Sequence, residues 1–97
     1  MVKYKLSETA KEDLIRIHHY GIIKFGEKQA DKYYDTFFEY FAIIAKNPYS
    51  FESVNYIRKG YRRCPCGSDT IYYKIEKDIV EIMTIIGKQE LNSALNK

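Results

Sequence analysis

Between residues 27 and 46 the side chains Ala30, Tyr33, Tyr34, Phe37, Phe38, Phe41, Ile44 and Ala45 recur at steps of three and one. That is the period of an α-helix with one apolar face; a strand, whose side chains alternate every second residue, cannot present it on one side. Asn47 and Pro48 end the pattern, because proline lacks the N–H that the next helical turn needs. Such a stripe reads as the side of the helix that faces the core, since periodicity chiefly reports burial. Tyr40, Ile43 and Tyr49 fall off the stripe and are candidates for exposure.

The residues on either side name the elements that complete that core. Upstream, Val2, Tyr4 and Leu6 alternate with Lys3 and Lys5, a short half-buried strand. Ser7 then offers a helix N-cap with Glu8 in the first turn, where the helix dipole favours an acid. A first helix is predicted to about residue 24, with Ala10, Leu14, Ile17 and Gly21 on its inner face and Ile22 and Phe25 extending it. Glu12 and Arg16 are spaced as an i,i+4 pair on its outside. Gly26 suits a C-cap, so the two helices form an antiparallel hairpin.

Downstream, residues 48–55 read as a connection, followed by strands near 56–64, 69–76 and 79–86. Pro65-Cys66-Gly67-Ser68 and Glu76-Lys77-Asp78 are the turns between them. The last strand is apolar at nearly every position, which places it centrally with both faces covered. Leu91 and Leu95 share a face of a short C-terminal helix. The order β-α-α-β-β-β predicts an α+β fold, a helical hairpin packed on a mostly antiparallel four-stranded sheet. Ninety-seven residues are too few to divide between two cores, so residues 1–97 are expected to be one domain.

The hairpin of the second and third strands carries the chemistry. Arg58, Lys59, Arg62 and Arg63 lie within seven positions without an acid, interleaved with Tyr61; Tyr72, Tyr73 and Lys74 follow on the next strand. Cations and phenols suit contact with a partner or with phosphate. A bland reading stands beside this one: edge strands carry cations to prevent sheet-to-sheet pairing. Metal-free RNA cleavage would need a general base and a general acid as well as cations. The hairpin has no His, and its acids, Asp69 and Glu76, sit at its ends; His18 and His19 lie on the first helix. The pattern therefore favours binding over catalysis.

The net charge is only +3, too small to draw nucleic acid to the whole surface, so sequence-specific nucleic-acid binding is not expected. No apolar run is long enough to cross a membrane, and the first residues lack the apolar core of a signal peptide, so the expected location is cytoplasmic. Cys64 and Cys66 are two residues apart on one strand, about 6.5–7 Å at ordinary rise, beyond disulfide reach. Reduced thiols packed as small apolar groups are expected. Adjacent His18 and His19 point about 100° apart and do not complete a four-ligand site, so neither metal nor cofactor is expected.

Several segments taken in order resemble the ParE toxins of bacterial toxin–antitoxin modules, members of the wider RelE/ParE fold family. Leu6-Ser7 with Ala10, Asp13-Leu14 and Ile17 is similar to the family's start of the first helix. Phe25-Gly26 with Gln29-Ala30 and Tyr33 is similar to its helix corner. Ile57-Arg58, Gly60-Tyr61-Arg62-Arg63, Gly67-Ser68 and Ile71-Tyr72-Tyr73 are similar to its central hairpin. ParE chains commonly follow the last strand with a His and then a Met-Asp pair; Gly87-Lys88-Gln89-Glu90-Leu91-Asn92 stands there instead.

The resemblance implies a toxin that binds and poisons DNA gyrase and is neutralised in a hetero-oligomer by a ParD-like antitoxin. RelE-type relatives imply the alternative, a ribosome-dependent mRNA interferase; a non-toxic binding relative of the fold is a third. On the first reading the expected target-binding residues are Arg58, Lys59, Tyr61, Arg62, Arg63, Lys74 and Lys88. The expected antitoxin contacts are Leu14, Tyr40, Ile43 and Tyr61, and no residue is assigned a catalytic role.

Overall fold

The computed structural model describes residues 3–87. Strand β1 (Tyr4–Leu6) leads into helix α1 (Glu8–Phe25), and a single residue, Gly26, separates it from α2 (Glu27–Lys46). Four strands follow: β2 (Glu52–Ser53), β3 (Tyr61–Cys66), β4 (Asp69–Glu76) and β5 (Ile79–Gly87). They form one five-stranded sheet in the order β1-β5-β4-β3-β2, antiparallel except for the parallel β1–β5 pair. The helical hairpin covers one face. This is the expected α+β architecture with one more strand than the sequence suggested. The extra strand, β2, pairs Glu52 with Arg63 and Ser53 with Arg62; two residues are too short to show a period.

Ser7 caps α1 as its residue type requires, its Oγ accepting the Ala10 N–H at 3.0 Å. It also joins the helix to the sheet, donating from Oγ to the Met83 carbonyl at 2.7 Å and from its N–H to the Ile82 carbonyl at 3.0 Å. Beyond the three residues that β1 pairs, α1 side chains continue the edge of β5. Asp13 accepts from the Ile85 N–H at 2.9 Å and the Thr84 hydroxyl at 2.6 Å, and Arg16 donates to the Ile85 carbonyl at 3.3 Å. Unpaired edge groups are thereby satisfied without a longer β1.

The two helices approach closely where Gly21 meets Ala30; a Cβ on Gly21 would lie 3.2 Å from the Ala30 Cβ. The predicted inner face of α1 holds: Ala10, Leu14, Ile17 and Gly21 are buried. Its predicted extension does not, since Phe25 is 69% exposed at the end of the helix and Ile22 is half-buried. Gly26, at φ 89° and ψ 162°, breaks the helix in a conformation open to glycine rather than in the left-handed helical C-cap that was expected. From the aromatic stripe of α2, Ala30, Phe37, Phe41, Ile44 and Ala45 are buried, and Tyr33, Tyr34 and Phe38 pack half-buried at the border.

The sheet meets the helices with Cys64 and Cys66 of β3, Ile71 and Tyr73 of β4, and Val80, Ile82 and Ile85 of β5. On β5 this set keeps facing the helices because Met83 is an extra residue: Tyr73 pairs with Ile82 and Tyr72 with Thr84. β5 is interior in the sheet, as its near-continuous apolar sequence demands. The segment after β2 folds under the other face, where Val54, Tyr72 and Ile86 form a second, smaller cluster with Ile57 and Tyr61.

Residues 56–60, predicted as the start of a strand, are instead a compact turn. Ile57 and Arg58 N–H both donate to the Val54 carbonyl, at 2.8 and 3.0 Å, and the Asn55 Oδ1 accepts the Gly60 N–H at 2.7 Å. An Asx side chain that captures a backbone donor competes with the strand ladder. The next turn is also tighter than predicted. Pro65 and Cys66 stay in β3, and only Gly67 and Ser68 turn the chain. The proposed tail helix, with Leu91 and Leu95, lies outside the described residues.

Candidate functional site

The expected site residues fall on two sides of the sheet. Alternation along β3 turns Cys64 and Cys66 to the helices, and Arg62 with them; Tyr61 and Arg63 point to the other, open face. On β4 the open face receives Tyr72 and Lys74, directly opposite Arg63 and Tyr61 respectively. The seven expected target-binding residues are therefore not one surface. The open face brings Tyr61, Arg63 and Lys74 together, with Arg58 against the Tyr61 ring at 5.8 Å. Arg58 reaches this region from the turn and not, as expected, from the strand; Lys59 lies exposed in the same turn. Lys88 lies outside the described residues.

Each cation on this face has a restraint. Arg63 is held at 2.8 Å by Glu52 of the edge strand and shares a side-chain hydrogen bond with Tyr72. The bond to Glu52 raises its already high pKa further, so it is a permanent charge. Lys74 lies 3.6 Å from Glu76 and 3.9 Å from Glu81. Exposed pairs of this kind are worth under about 1 kcal/mol and yield easily to a competing partner. Tyr56, 73% exposed, stands beside them and was missed by the sequence reading. It lies in the turn that had been assigned to a strand, so its exposure was not deducible from alternation.

Arg62 behaves differently. Its Nη1 donates to the Phe51 carbonyl at 2.7 Å and reaches the Tyr49 carbonyl at 3.5 Å, and its guanidinium lies 5.3 Å from the centre of the Tyr49 ring. It ties the segment after α2 to β3. Arg62 and Arg63, adjacent in sequence, therefore differ in role: the two are on opposite faces, and Arg62 satisfies backbone carbonyls.

The antitoxin contacts also divide. Leu14 is 3% exposed and belongs to the core, so it offers a partner no surface. Tyr40 is half-buried against the same core, Ile43 is 47% exposed, and Tyr61 is half-buried in the small cluster. Ile15, Ile22 and Ile23 of α1 share the outer helix face with His19, and Ile15 and Ile23 are 64% and 78% exposed. Their spacing could have revealed this second stripe.

The buried thiols and several phenols near the hairpin have raised pKa values. Burial raises the Cys64 thiol to about 11 and the Cys66 thiol to about 12. Burial likewise raises Tyr73, whose hydroxyl donates to the Pro48 carbonyl at 2.6 Å, to about 12. Tyr72 is raised for the same reason. Burial also raises Tyr33, whose hydroxyl donates to Asp69 at 2.8 Å. The two thiols are free, buried and neutral near pH 7. Among the described residues no three His, Cys, Asp or Glu side chains are grouped to hold a metal ion. His18 is engaged on the helices with Asp31 at 2.7 Å.

This fold and this hairpin have counterparts. The model of the ParE toxin of type II toxin–antitoxin systems, parDE, matches residues 4–91. The chain belongs to the ParE toxin family. Toxin ParE1 of Caulobacter vibrioides is 33% identical over 93 residues, covering 96% of this chain and 95% of that one. Among solved structures, the chromosomal ParDE toxin–antitoxin system of P. aeruginosa superposes with a TM-score of 0.79 at 16% identity, over 90% of this chain and 96% of that one. The toxin–antitoxin complex RelBE2 of Mycobacterium tuberculosis gives 0.59 at 14% identity, over 90% and 98%. Both share the RelE/ParE-like fold. The protein is thus a ParE-type toxin of a type II toxin–antitoxin system. No helix among the described residues is long and apolar enough to cross a membrane.

Proposed function

We propose that this ParE-type toxin acts by binding DNA gyrase through the open face of its sheet, without catalysis of its own, and that a cognate ParD-like antitoxin neutralises it in the cytoplasm. The observation that carries the reading is the chemistry of that face. Arg58, Arg63 and Lys74 supply charge, Tyr56 and Tyr61 supply aromatic surface, and the phenol of Tyr72 is shifted away from acid–base use. Arginine and tyrosine are the side chains that dominate protein interfaces. A general acid or base works best with a pKa near the working pH, and the shifted groups of the hairpin all move upward.

The exposed apolar side chains of α1 and α2, Ile15, Ile23 and Ile43, support an antitoxin that covers the helical hairpin. An amphipathic partner helix is the usual occupant of such a surface. The decisive experiment is a supercoiling assay with purified gyrase, relaxed plasmid and ATP. The toxin should suppress supercoiling and accumulate cleaved plasmid, and the small protein encoded beside it should restore the reaction. Gyrase unaffected at equal folded toxin, with mRNA cut on translating ribosomes, would replace this reading by an interferase.

A further inference from the structure

A cleft of about 240 Å³ opens at the edge of the sheet where the segments on either side of β2 meet the start of β3; Tyr49, Ser53, Asn55, Gly60 and Arg62 line it, with Tyr61 and the apolar Ile75. Among its lining residues Arg62 is the one cation and Asn55 the one carboxamide, and none carries a carboxylate. Arg62 is held in place from one side only. Its Nη1 is spent on the Phe51 and Tyr49 carbonyls, and the Tyr49 ring packs against the guanidinium. Nε and Nη2 have no hydrogen-bond partner among the described residues. That edge of the fork matches the two oxygens of a carboxylate. Asn55 is oriented too. Its Oδ1 accepts the Gly60 N–H at 2.7 Å, which leaves Nδ2 as its remaining donor.

Ser53 connects the cleft to the outermost strand. β2 is the edge of the sheet, so its outer backbone groups can receive an extended peptide, whose alternate side chains would then pass the cleft. We propose that this cleft is a receptor for the carboxylate of an Asp or Glu side chain on an extended partner peptide, held by the Nε–Nη2 edge of Arg62 and by Asn55 Nδ2. On the function proposed above, that peptide is the antitoxin's; the inference rests on that reading for the partner's identity but not for the site's chemistry. A nucleic-acid backbone fits less well. It needs a succession of cations, whereas one guanidinium lines the cleft, Arg63 lies on the other face, and Glu52 sits beside Ser53 on the same edge strand.

The test is a titration of the ¹⁵N-labelled full chain with N-acetyl-glutamate methylamide, its glutamine counterpart, and dimethyl phosphate. Saturable shifts are expected at the Arg62 Nε–H and at the Ser53, Asn55 and Gly60 amides with the glutamate compound, and none with the glutamine compound. Asn55→Asp keeps the acceptor for Gly60 while placing a negative charge in the cleft. It should weaken binding by about tenfold or more with the remaining spectrum unchanged. Arg62→Lys, which keeps the charge but loses the fork, should weaken it as well. Equal shifts from both amino-acid compounds, or none up to about 100 mM, would overturn the site. Tighter binding of dimethyl phosphate would reassign it to a nucleic-acid backbone. The probes contain no antitoxin, so a negative result leaves the toxin–antitoxin reading standing.

Discussion

The two faces of the sheet are built from alternate residues of the same strands, yet they obey different rules. Toward the helices, Cys64, Cys66, Ile71, Tyr73, Ile82 and Ile85 are buried, and every phenol at this boundary whose partner is described donates to a fixed acceptor. Toward the open side, Tyr61, Arg63 and Lys74 are half-buried, and the cations lie in exchangeable ion pairs. One face spends its side chains on cohesion, while the other keeps charge and aromatic surface within reach of a partner. Burial drives the first, through apolar transfer and close packing. The second is tolerated because Val54, Ile57, Tyr61, Tyr72 and Ile86 seal only part of it.

Mutations should separate the faces by the size of their effect on stability. Phe41 is fully buried, so Phe41→Ala should cost about 3–5 kcal/mol in denaturant unfolding; a loss under about 1 kcal/mol would mean that the helical cover is looser than described. Gly67→Ala comes next. Gly67 has a φ of 62°, and a Cβ there would meet the Tyr33 ring at 2.7 Å. The Tyr33 hydroxyl is pinned by the Cys66 carbonyl at 2.9 Å and Asp69 at 2.8 Å, so the ring cannot easily move aside. A loss of about 2–4 kcal/mol is expected, and Tyr33→Phe should relieve part of it in the double mutant.

The helix-side face should also respond to alkali. Cys64, Cys66 and Tyr73 have raised pKa values in the folded chain, so the stability that their neutral forms share is complete below about pH 9 and is lost as pH rises toward about 11 to 12. Urea unfolding at pH 8 and pH 11 should show the loss, and a Cys64→Ala, Cys66→Ala chain should show a shallower dependence.

Neighbouring arginines give a finer division. Arg62→Ala leaves the Phe51 carbonyl without its donor and should cost about 1–3 kcal/mol. Arg63→Ala breaks an exposed pair and should cost under about 1 kcal/mol. If thermal melts ranked them the other way, the assignment of Arg62 to anchoring would be wrong. The smallest stability change belongs to Arg58→Ala with Lys74→Ala, at under about 0.5 kcal/mol for each. Under the proposed function this pair should still reduce toxicity on induced expression, and undiminished toxicity would remove the open face from the gyrase contact.

Local chemistry made much of this legible in the sequence. The stripe from Ala30 to Ala45, the Ser7 cap, the Asn47-Pro48 stop and the apolar run of β5 each specify their own element, because periodicity and capping act over a few residues. Together with the order of segments, they sufficed for an α+β fold; the ParE type rested on the resemblance of segments such as Phe25-Gly26 and Gly60-Tyr61-Arg62-Arg63. Tertiary structure alone decided the rest. Glu52 and Ser53 become a strand only because β3 lies beside them. Residues 56–60 leave the ladder because Asn55 and Val54 capture their backbone donors. Arg62 and Arg63 are alike as sequence, but the pleat sends one to the carbonyls behind α2 and the other to Glu52 on the open face. A period of two says that neighbours part company; which of them meets the core depends on register, and register is set by contacts between residues far apart in the chain.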